Sequence, residues 1–274
     1  MALPLPSSLS PSKVSAFKDC ALAFRFSAID KLVEPPSPAA TKGSIVHRAL
    51  ESLFTHRPAE RNRALAAETL DAAVAEFEEE GILGALDLDH DQRSAFLDDA
   101  SLMVDRYFQL EDPTTFDPVG VELMLSTEVG GLTLRGIIDR LDLDADGELV
   151  VTDYKTGRVP SERQELARLG GVHFYALLCE RILGRRPTRV QLMYLGPQPQ
   201  VIVARPTDQS IAGLERRIEA IWSAIERACE HEDFRPKQSA LCNVCNFKPY
   251  CPLYGGDPAQ ALVDLSPRTA AVPA

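Results

Sequence analysis

The sequence predicts an α/β protein, and three observations lead to that prediction. Helical periodicity dominates the first 110 residues, an alternating pattern typical of strands follows from residue 119, and helical and strand patterns then alternate up to residue 230. The chain has 274 residues, of which 45% are hydrophobic and 25% are charged. Such a chain is long enough and apolar enough to bury a full globular core.

Four helices are predicted in the N-terminal half, because apolar residues recur there every three or four positions. Ser12 is the expected cap of the first helix, and a proline-rich connector over residues 34–38 precedes the second. A loop with Gly81 and Gly84 separates the last two helices. The predicted helices are Ser12–Phe26, Gly43–Phe54, Glu60–Glu80 and Asp91–Leu110.

A three-stranded meander is predicted next, because two turns separate three runs typical of strands. The turns are Gly130-Gly131 and Asp146-Gly147. The tail from Gly255 is rich in proline and alanine and is expected to be disordered. The predicted strands are Val119–Val129, Leu132–Leu143, Leu149–Tyr154, Arg189–Leu195 and Gln200–Ala204, and the remaining predicted helices are about Glu162–Leu183 and Gln209–Glu230.

The formal net charge is −11, but the charge is unevenly distributed. Residues 68–117 contain 15 acidic and two basic residues, whereas the rest of the chain contains 25 acidic and 27 basic residues. We interpret the acidic block as a solvated helical face directed away from any anionic ligand. The total charge therefore neither excludes nor supports a nucleic-acid partner.

Three classes of protein are disfavoured by motifs that the sequence lacks. No run of 18 apolar residues occurs, so a transmembrane helix is not expected. The N-terminal segment has no basic stretch followed by an apolar one, which disfavours a secretory signal and predicts a cytoplasmic protein. No G-x-x-x-x-G-K-[ST] motif occurs, so the chain has no P-loop motor of its own.

The segment VVTDYKTG, residues 150–157, ends an apolar strand with a carboxylate and an amine. Asp153 and Lys155 are two positions apart and therefore lie on the same face of the strand. The preceding hairpin strand places Asp139 within an apolar run. Two carboxylates on neighbouring strands suit Mg²⁺ or Mn²⁺, and a lysine beside them would stabilise charge on a phosphate. A structural ion pair between Asp153 and Lys155 is the alternative.

Three of the six cysteines cluster near the C-terminus, in the spacing Cys242-x₂-Cys245-x₅-Cys251. Three thiolates leave a tetrahedral metal or a cubane cluster one ligand short, and Cys20 is the natural fourth ligand. The spacing by itself favours zinc. Cys179 and Cys229 lie in helical patterns and are expected to be buried, without a functional role.

Five motifs in order make the sequence similar to the PD-(D/E)xK nuclease superfamily. It resembles most the RecB-type exonuclease branch, which includes AddB-like and CRISPR-adaptation nucleases. The similarity covers most of the chain, and the motifs are SPSKVSAFKDCALAFRF, GSIVHRALE, RGIIDRLD, DYKTG and CNVCNFKPYC.

The resemblance implies a restriction-endonuclease-like core, with a mixed central sheet flanked by helices, a helical N-terminal insertion and a C-terminal iron–sulfur loop. Residues 1–254 are expected to form a single nuclease domain. Within it, residues 60–112 are the acidic helical insertion, and residues 240–254 are the cysteine loop that closes on Cys20. Residues 255–274 are the expected disordered tail.

The resemblance also implies a DNA exonuclease that depends on Mg²⁺ or Mn²⁺ and acts on single-stranded ends in DNA repair or recombination. His47, Asp139, Asp153 and the Tyr154 carbonyl are the implied metal ligands, and Lys155 assists catalysis with the two aspartates. The resemblance favours a [4Fe–4S] cluster over zinc as a staple of the chain ends, held by Cys20, Cys242, Cys245 and Cys251.

Four further residues are candidates for contacting substrate or supporting the metal shell, namely Glu122, Tyr175, Arg140 and Arg158. Glu122 could equally be an outward-facing strand residue without a role in the site. The two arginines are at least as well explained as ordinary surface charges. Arginines near the site would contact phosphates.

One position departs from the family pattern. RecB-type enzymes usually have a glutamine four residues before a tyrosine on the helix after D-x-K, but Gly171 precedes Tyr175 here. The departure leaves two other functions open: a DNA-end-binding accessory subunit with a decayed nuclease site, and a zinc-stapled RNA-processing nuclease. A helicase or another repair protein is an expected partner, because related nuclease domains are often fused or bound to motors.

Overall fold

The computed structural model of the chain describes residues 2–159 and 162–265, with the backbone alone for residues 162–170. The strands are β1 (Gly120–Val129), β2 (Leu132–Leu143), β3 (Leu149–Lys155), β4 (Arg189–Tyr194) and β5 (Gln200–Ala204). The helices are α1 (Pro11–Asp19), α2 (Ala21–Phe24), α3 (Pro38–Phe54), α4 (Arg63–Glu79), α5 (His90–Leu110), α6 (Glu162–Leu183), α7 (Asp208–His231) and α8 (Pro258–Asp264).

Most predicted elements occur within a few residues of their expected bounds, but the first helix does not. Cys20 has an extended backbone, with φ −161° and ψ 110°, which separates α1 from α2. A π-helical turn, Arg25–Ile29, continues from α2. The cap of α1 is Ser10 rather than Ser12, because the Ser10 side chain accepts a hydrogen bond from the backbone N–H of Lys13 at 3.3 Å.

The predicted α/β fold is confirmed, since the described residues form a five-stranded mixed sheet in the order β1-β2-β3-β4-β5. β2 and β3 pair antiparallel, from Arg140 opposite Thr152 to Leu143 opposite Leu149. β3 and β4 pair parallel, and β4 and β5 pair antiparallel. The parallel pair needs a crossover, and α6 provides it.

Helices cover both faces of this sheet. On one face, Tyr154 and Met193 pack into a core that α3, α4 and α5 complete with residues such as Leu50, Leu70 and Tyr107. On the other face, Gly136 lies against Tyr175 and Leu178 of α6. Neighbouring strand residues point to opposite faces, so each strand contributes to both interfaces.

Helices α4 and α5 carry most of the acidic block, and their acids face solvent while their apolar residues face the core. Leu70 and Met103 are buried, whereas Glu68, Asp71 and Asp98 are not. The interpretation of this block as a solvated helical face is therefore confirmed.

The chain groups into two compact units. One contains Pro36–Thr127 and Arg135–Ile211, and the other contains the described residues of Met1–Pro35, Glu128–Leu134 and Ala212–Ala274. In the second unit, Leu9 forms an isolated parallel bridge with Leu134. No helix in the described residues is both long enough and apolar enough to span a bilayer.

The prediction of a disordered tail from Gly255 is wrong for Pro258–Asp264, which form α8. Asp257 caps this helix by accepting a hydrogen bond from the N–H of Ala259, and proline occupies the first turn. Ala261 is buried, so the short helix has a packed face. Residues 266–274 of the predicted tail lie outside the described residues.

Candidate functional site

His47 is held towards the sheet by the buried face of α3. Ile45, Val46 and Leu50 are fully buried around it, which fixes the rotation of the helix. The His47 ring donates a hydrogen bond from Nε2 to the Tyr154 carbonyl at 3.1 Å, because a carbonyl oxygen can only accept. Its other nitrogen, Nδ1, lies 3.5 Å from Asp139 Oδ2.

Asp139 lies where the pairing of β2 and β3 ends. The Oδ2 atom of Asp139 accepts a hydrogen bond from the backbone N–H of Tyr154 at 2.6 Å. Asp139 is therefore satisfied at one oxygen although it is only 9% exposed. This contact brings the RGIIDRLD and DYKTG segments together, as the sequence predicts.

Asp153 and Lys155 lie on one face of β3 and form a close ion pair. Asp153 is buried, whereas the Lys155 side chain is 41% exposed and keeps access to solvent. The Tyr175 hydroxyl of α6 donates to Asp153 Oδ1 at 3.5 Å. The D-x-K motif thus places an amine beside a buried carboxylate, in the ion pair that the sequence offered as the structural alternative, and the catalytic role of Lys155 stays a prediction.

Glu122 completes a cluster of possible ligands. Ligand atoms of His47, Glu122 and Asp139 all lie within 4.8 Å of one another, and Glu122 Oε1 is 4.0 Å from His47 Nδ1. Glu122 has φ +45°, a left-handed conformation that costs a residue with a side chain about 1–3 kcal/mol. A groove of about 470 Å³ opens beside this cluster, and Gly43, Ser44 and Thr156 are among its other lining residues.

The site raises the pKa values of two of its acids. Burial, with a further contribution from Asp139, raises the pKa of Glu122 to about 7. Burial, with a further contribution from Asp153, raises the pKa of Asp139 to about 6, although His47 opposes the shift. A divalent cation would favour the charged forms of both groups, because ligation requires deprotonated carboxylates.

Arg140 does not reach this site, which corrects the expectation of a phosphate contact. It is 1% exposed and lies on the face opposite Asp139, towards α3 and α5. Its guanidinium donates to Asp142 Oδ2 at 2.9 Å and to the Tyr154 hydroxyl at 2.8 Å, and it forms a close ion pair with Glu111. The alternation of β2, which brings Asp139 to the cluster, turns Arg140 into the core.

Arg158 remains exposed, beyond the end of β3. It lines a groove of about 380 Å³ together with Val159, Gly196, Pro197 and Gln198. A Cβ atom at Gly196 would lie 3.2 Å from the Gly157 carbonyl oxygen, so glycine permits the close approach of the two loops. The phosphate contact expected of Arg158 stays a prediction.

The four cysteines singled out in the sequence line one cavity of about 200 Å³ in the second unit. The Ser239 N–H donates to Cys242 Sγ at 3.4 Å, which lowers the pKa of that thiol and favours its thiolate. Among the described residues, no three of these sulfur atoms lie within 4.8 Å of one another. Ligands of a single tetrahedral zinc ion would be about 3.8 Å apart, given a Zn–S bond of about 2.3 Å.

Cys179 and Cys229 are both buried, as predicted from their helical patterns. Burial raises the pKa of each thiol. Neither cysteine lines the four-cysteine cavity. These two cysteines therefore pack as small apolar side chains.

Comparison with known proteins identifies a family and a fold. The sequence model described as the PD-(D/E)XK nuclease superfamily matches residues 8–252. The fold is similar to a crystal structure from Eubacterium rectale described as a candidate exonuclease, with a TM-score of 0.56 and 13% identity over 87% of each chain. The crystal structure of SSO0001 has a TM-score of 0.40 and 17% identity over 78% of this chain and 95% of that chain. No curated protein matches the sequence.

Proposed function

This chain belongs to the PD-(D/E)XK nuclease superfamily, and we propose that it is an exonuclease that uses Mg²⁺ or Mn²⁺ to hydrolyse DNA, with single-stranded ends as its substrate. One observation carries the proposal. His47, Glu122 and Asp139 offer ligand atoms within 4.8 Å of one another, while Lys155 and Asp153 form an ion pair at the end of the neighbouring strand. Carboxylate oxygens and an imidazole nitrogen fit a divalent cation of this kind.

We assign the residues as follows. The family resemblance implies that His47, Asp139, Asp153 and the Tyr154 carbonyl would hold the cation, with Glu122 beside them. When bound, the cation supplies Lewis acidity and lowers the pKa of a coordinated water. Hydrolysis adds the hydroxyl of water to phosphorus and leaves a proton on the departing oxygen.

Lys155 and Tyr175 act around that reaction. The exposed end of Lys155 donates hydrogen bonds to the attacking water or to a phosphate oxygen, which stabilises the developing negative charge. Tyr175 orients Asp153 through its hydroxyl. Arg158, at the rim of the second groove, contacts a backbone phosphate of the bound strand.

The four-cysteine cavity is proposed to hold a [4Fe–4S] cluster. The shared cavity of the four cysteines supports a common metal centre, and the resemblance to RecB-type nucleases favours a cluster over zinc. Cys20, Cys242, Cys245 and Cys251 would be its ligands. The cluster then staples the C-terminal loop to the start of α2, with no redox role in hydrolysis.

At the level of the whole chain, we propose that residues 1–254 act as one nuclease domain, in which residues 60–112 are an insertion and residues 240–254 form the cluster loop. The family match over residues 8–252 supports this extent. DNA repair or recombination is the proposed setting, with a helicase or another repair protein as partner, because related nuclease domains are often fused or bound to motors.

The activity test uses end-labelled single-stranded DNA, double-stranded DNA and RNA, each incubated with Mg²⁺ or Mn²⁺. Wild-type protein is expected to shorten single-stranded DNA from an end and to leave covalently closed single-stranded circles intact. The matched variant is Lys155→Ala, which should lose at least 100-fold in rate. Equal activity of the two proteins would overturn the proposed site.

The strongest alternative is a DNA-end-binding subunit without nuclease activity, which Gly171 favours because the family glutamine is absent there. Tight binding of DNA ends without hydrolysis in either metal would support it. A zinc-stapled RNA nuclease is tested by absorbance near 400 nm and metal content after anaerobic purification. A colourless protein with one equivalent of zinc that degrades RNA in preference to DNA would favour that alternative.

A further inference from the structure

Glu122 is itself a member of the cluster of possible metal ligands, together with His47 and Asp139. We propose that Glu122 binds the divalent cation directly, with His47 Nδ1 and Asp139, an assignment that rests on the metal-dependent function proposed above. Asp153, the acid of the DYKTG segment, then serves chiefly as the partner of Lys155. This assignment revises the ligand set that the family resemblance implies. Glu122 takes the place of Asp153, and the Tyr154 carbonyl, which accepts a hydrogen bond from His47 Nε2, orients the histidine instead of binding the cation.

The hydrogen bonds of His47 determine which of its nitrogens faces the cluster. Nε2 donates to the Tyr154 carbonyl at 3.1 Å, so the proton of the neutral ring is on Nε2 and the lone pair is on Nδ1. Nδ1 is the nitrogen that faces Asp139 at 3.5 Å and Glu122 at 4.0 Å. A backbone carbonyl that holds the second nitrogen of a metal-binding histidine fixes the tautomer and the ring orientation.

The atoms that converge in this cluster therefore accept rather than donate. When His47 is neutral and both carboxyl groups are deprotonated, the Nδ1 lone pair and the carboxylates of Glu122 and Asp139 provide no hydrogen-bond donor to one another. A divalent cation satisfies all three groups at once, because each donates an electron pair. Their mutual spacing within 4.8 Å suits ligands around a single ion.

Glu122 and Asp153 differ in whether a cationic side chain compensates their charge. The carboxylate of Asp153 already has a cationic partner, Lys155, and accepts a hydrogen bond from Tyr175. The nearby Arg48 guanidinium is bonded to Glu76 and Glu51. Glu122 has no such close guanidinium or ammonium partner among the contacts described for it, so a bound cation gains more from Glu122 than from Asp153.

The backbone at Glu122 agrees with this assignment. A left-handed conformation is uncommon for a residue with a side chain, and it interrupts the alternation of β1, where residues 120–123 are all half-buried. The interruption brings the carboxylate to the His47 ring.

The test measures Mn²⁺ binding directly, from the electron paramagnetic resonance signal of free Mn²⁺, in the absence of DNA. Glu122→Gln is expected to weaken binding at least tenfold, and Asp153→Asn less than threefold. Glu51→Gln is the matched control, because Glu51 lines the same groove outside the ligand cluster, and its binding should stay within twofold of wild type. Wild-type affinity in Glu122→Gln, or a larger loss in Asp153→Asn than in Glu122→Gln, would overturn the assignment.

A second variant separates ligand loss from misfolding. Glu122→Gly removes the carboxylate and adopts the left-handed conformation without strain, so it should melt at or above the wild-type temperature yet bind Mn²⁺ at least tenfold more weakly. If wild-type protein binds Mn²⁺ and degrades DNA while both Glu122 variants bind Mn²⁺ normally, only the Glu122 assignment fails. If wild-type protein binds no Mn²⁺, the metal-dependent function and this assignment fail together.

Discussion

The carboxylate of Asp139 accepts a hydrogen bond from the backbone N–H of Tyr154 at 2.6 Å, just beyond the last paired residues of β2 and β3. The side chain thus replaces the ladder partner that β2 no longer provides. Without it, a buried N–H group would lose its acceptor, which typically costs about 1–3 kcal/mol. The residue proposed to bind the cation therefore also closes the sheet.

Two substitutions at Asp139 should separate these roles. Asp139→Asn keeps an oxygen for the Tyr154 N–H but removes the charge, so we expect loss of Mn²⁺ binding and a drop in rate of at least 100-fold with a nearly unchanged melting temperature. Asp139→Ala should in addition lower the free energy of unfolding by about 1–3 kcal/mol. Denaturant titration and metal binding measure both effects. Equal stability of the two variants would contradict the structural role.

Lys155 should matter for the rate and little for metal affinity. Its ammonium compensates Asp153, so Lys155→Ala releases that carboxylate and should leave Mn²⁺ affinity equal to or higher than that of wild type, while the rate falls at least 100-fold. Single-turnover assays and metal titration measure the two quantities. Weakened metal binding would show that the lysine organises the ligands instead.

A side chain at Gly136 should disturb the packing of α6 against the sheet. A Cβ atom there would lie 2.9 Å from Leu178 Cδ1 and 3.3 Å from Tyr175 Cε1. We expect Gly136→Ala to destabilise the protein by about 1–3 kcal/mol and to reduce the rate, because Tyr175 must move away from Asp153. Gly84→Ala is the control, since its Cβ would meet open space. A fully active Gly136→Ala protein would contradict the positioning role of Tyr175.

Arg140 should act on stability, in contrast to Arg158. Arg140→Met leaves Glu111 and Asp142 without their buried cation, and the expected loss is roughly 3–5 kcal/mol. Arg158→Ala changes an exposed residue and should stay within about 0.5 kcal/mol of wild type, while weakening DNA binding. Urea titrations and fluorescence anisotropy with labelled DNA distinguish the two. A stable Arg140→Met protein with impaired DNA binding would instead support a contact between Arg140 and a phosphate of the DNA.

The contribution of Glu122 and Asp139 to the stability of the metal-free protein should fall as the pH rises. The folded-state pKa values of Glu122 and Asp139 are raised to about 7 and about 6, from 4.5 and 3.8. Between the unfolded and folded values the native state binds more protons, so the free energy of unfolding decreases from about pH 4 to about pH 7. Saturating Mn²⁺ should remove this pH dependence of the free energy of unfolding, and Glu122→Gln should reduce its slope. Melting temperatures across this range, with and without Mn²⁺, provide the measurement.

Local patterns were sufficient to predict the sheet and most helices. The two glycine turns set the ends of the first hairpins, and the start and end of β2, β5 and α6 match the predicted bounds. The pairing of Asp153 with Lys155 follows from strand alternation alone. The convergence of the four cysteines on one cavity also agrees with the motif order.

Features that depend on tertiary packing were not predictable in this way. The start of α3 is an exception, because its signal is local: Ser37 caps the helix and Pro38 occupies its first turn, so α3 starts at Pro38 and not at Gly43. The left-handed backbone of Glu122 has no sequence signal, because glycine is the residue that usually marks such positions. Arg140 resembles a surface charge in the sequence, and only its four acceptors in the fold, Asp142, Glu111, Tyr154 and Thr152, show why a guanidinium is buried.

The cavity formed by Cys20, Cys242, Cys245 and Cys251 has a consequence for biosynthesis. During translation, Cys20 leaves the ribosome long before Cys251 is added, so its thiol waits without its partners while most of the polypeptide is made. In that interval the thiol is open to oxidation or to a premature bond with another sulfur. Assembly of the proposed metal centre would therefore be a late event, and the supply of iron or zinc would matter most once nearly the whole chain has emerged.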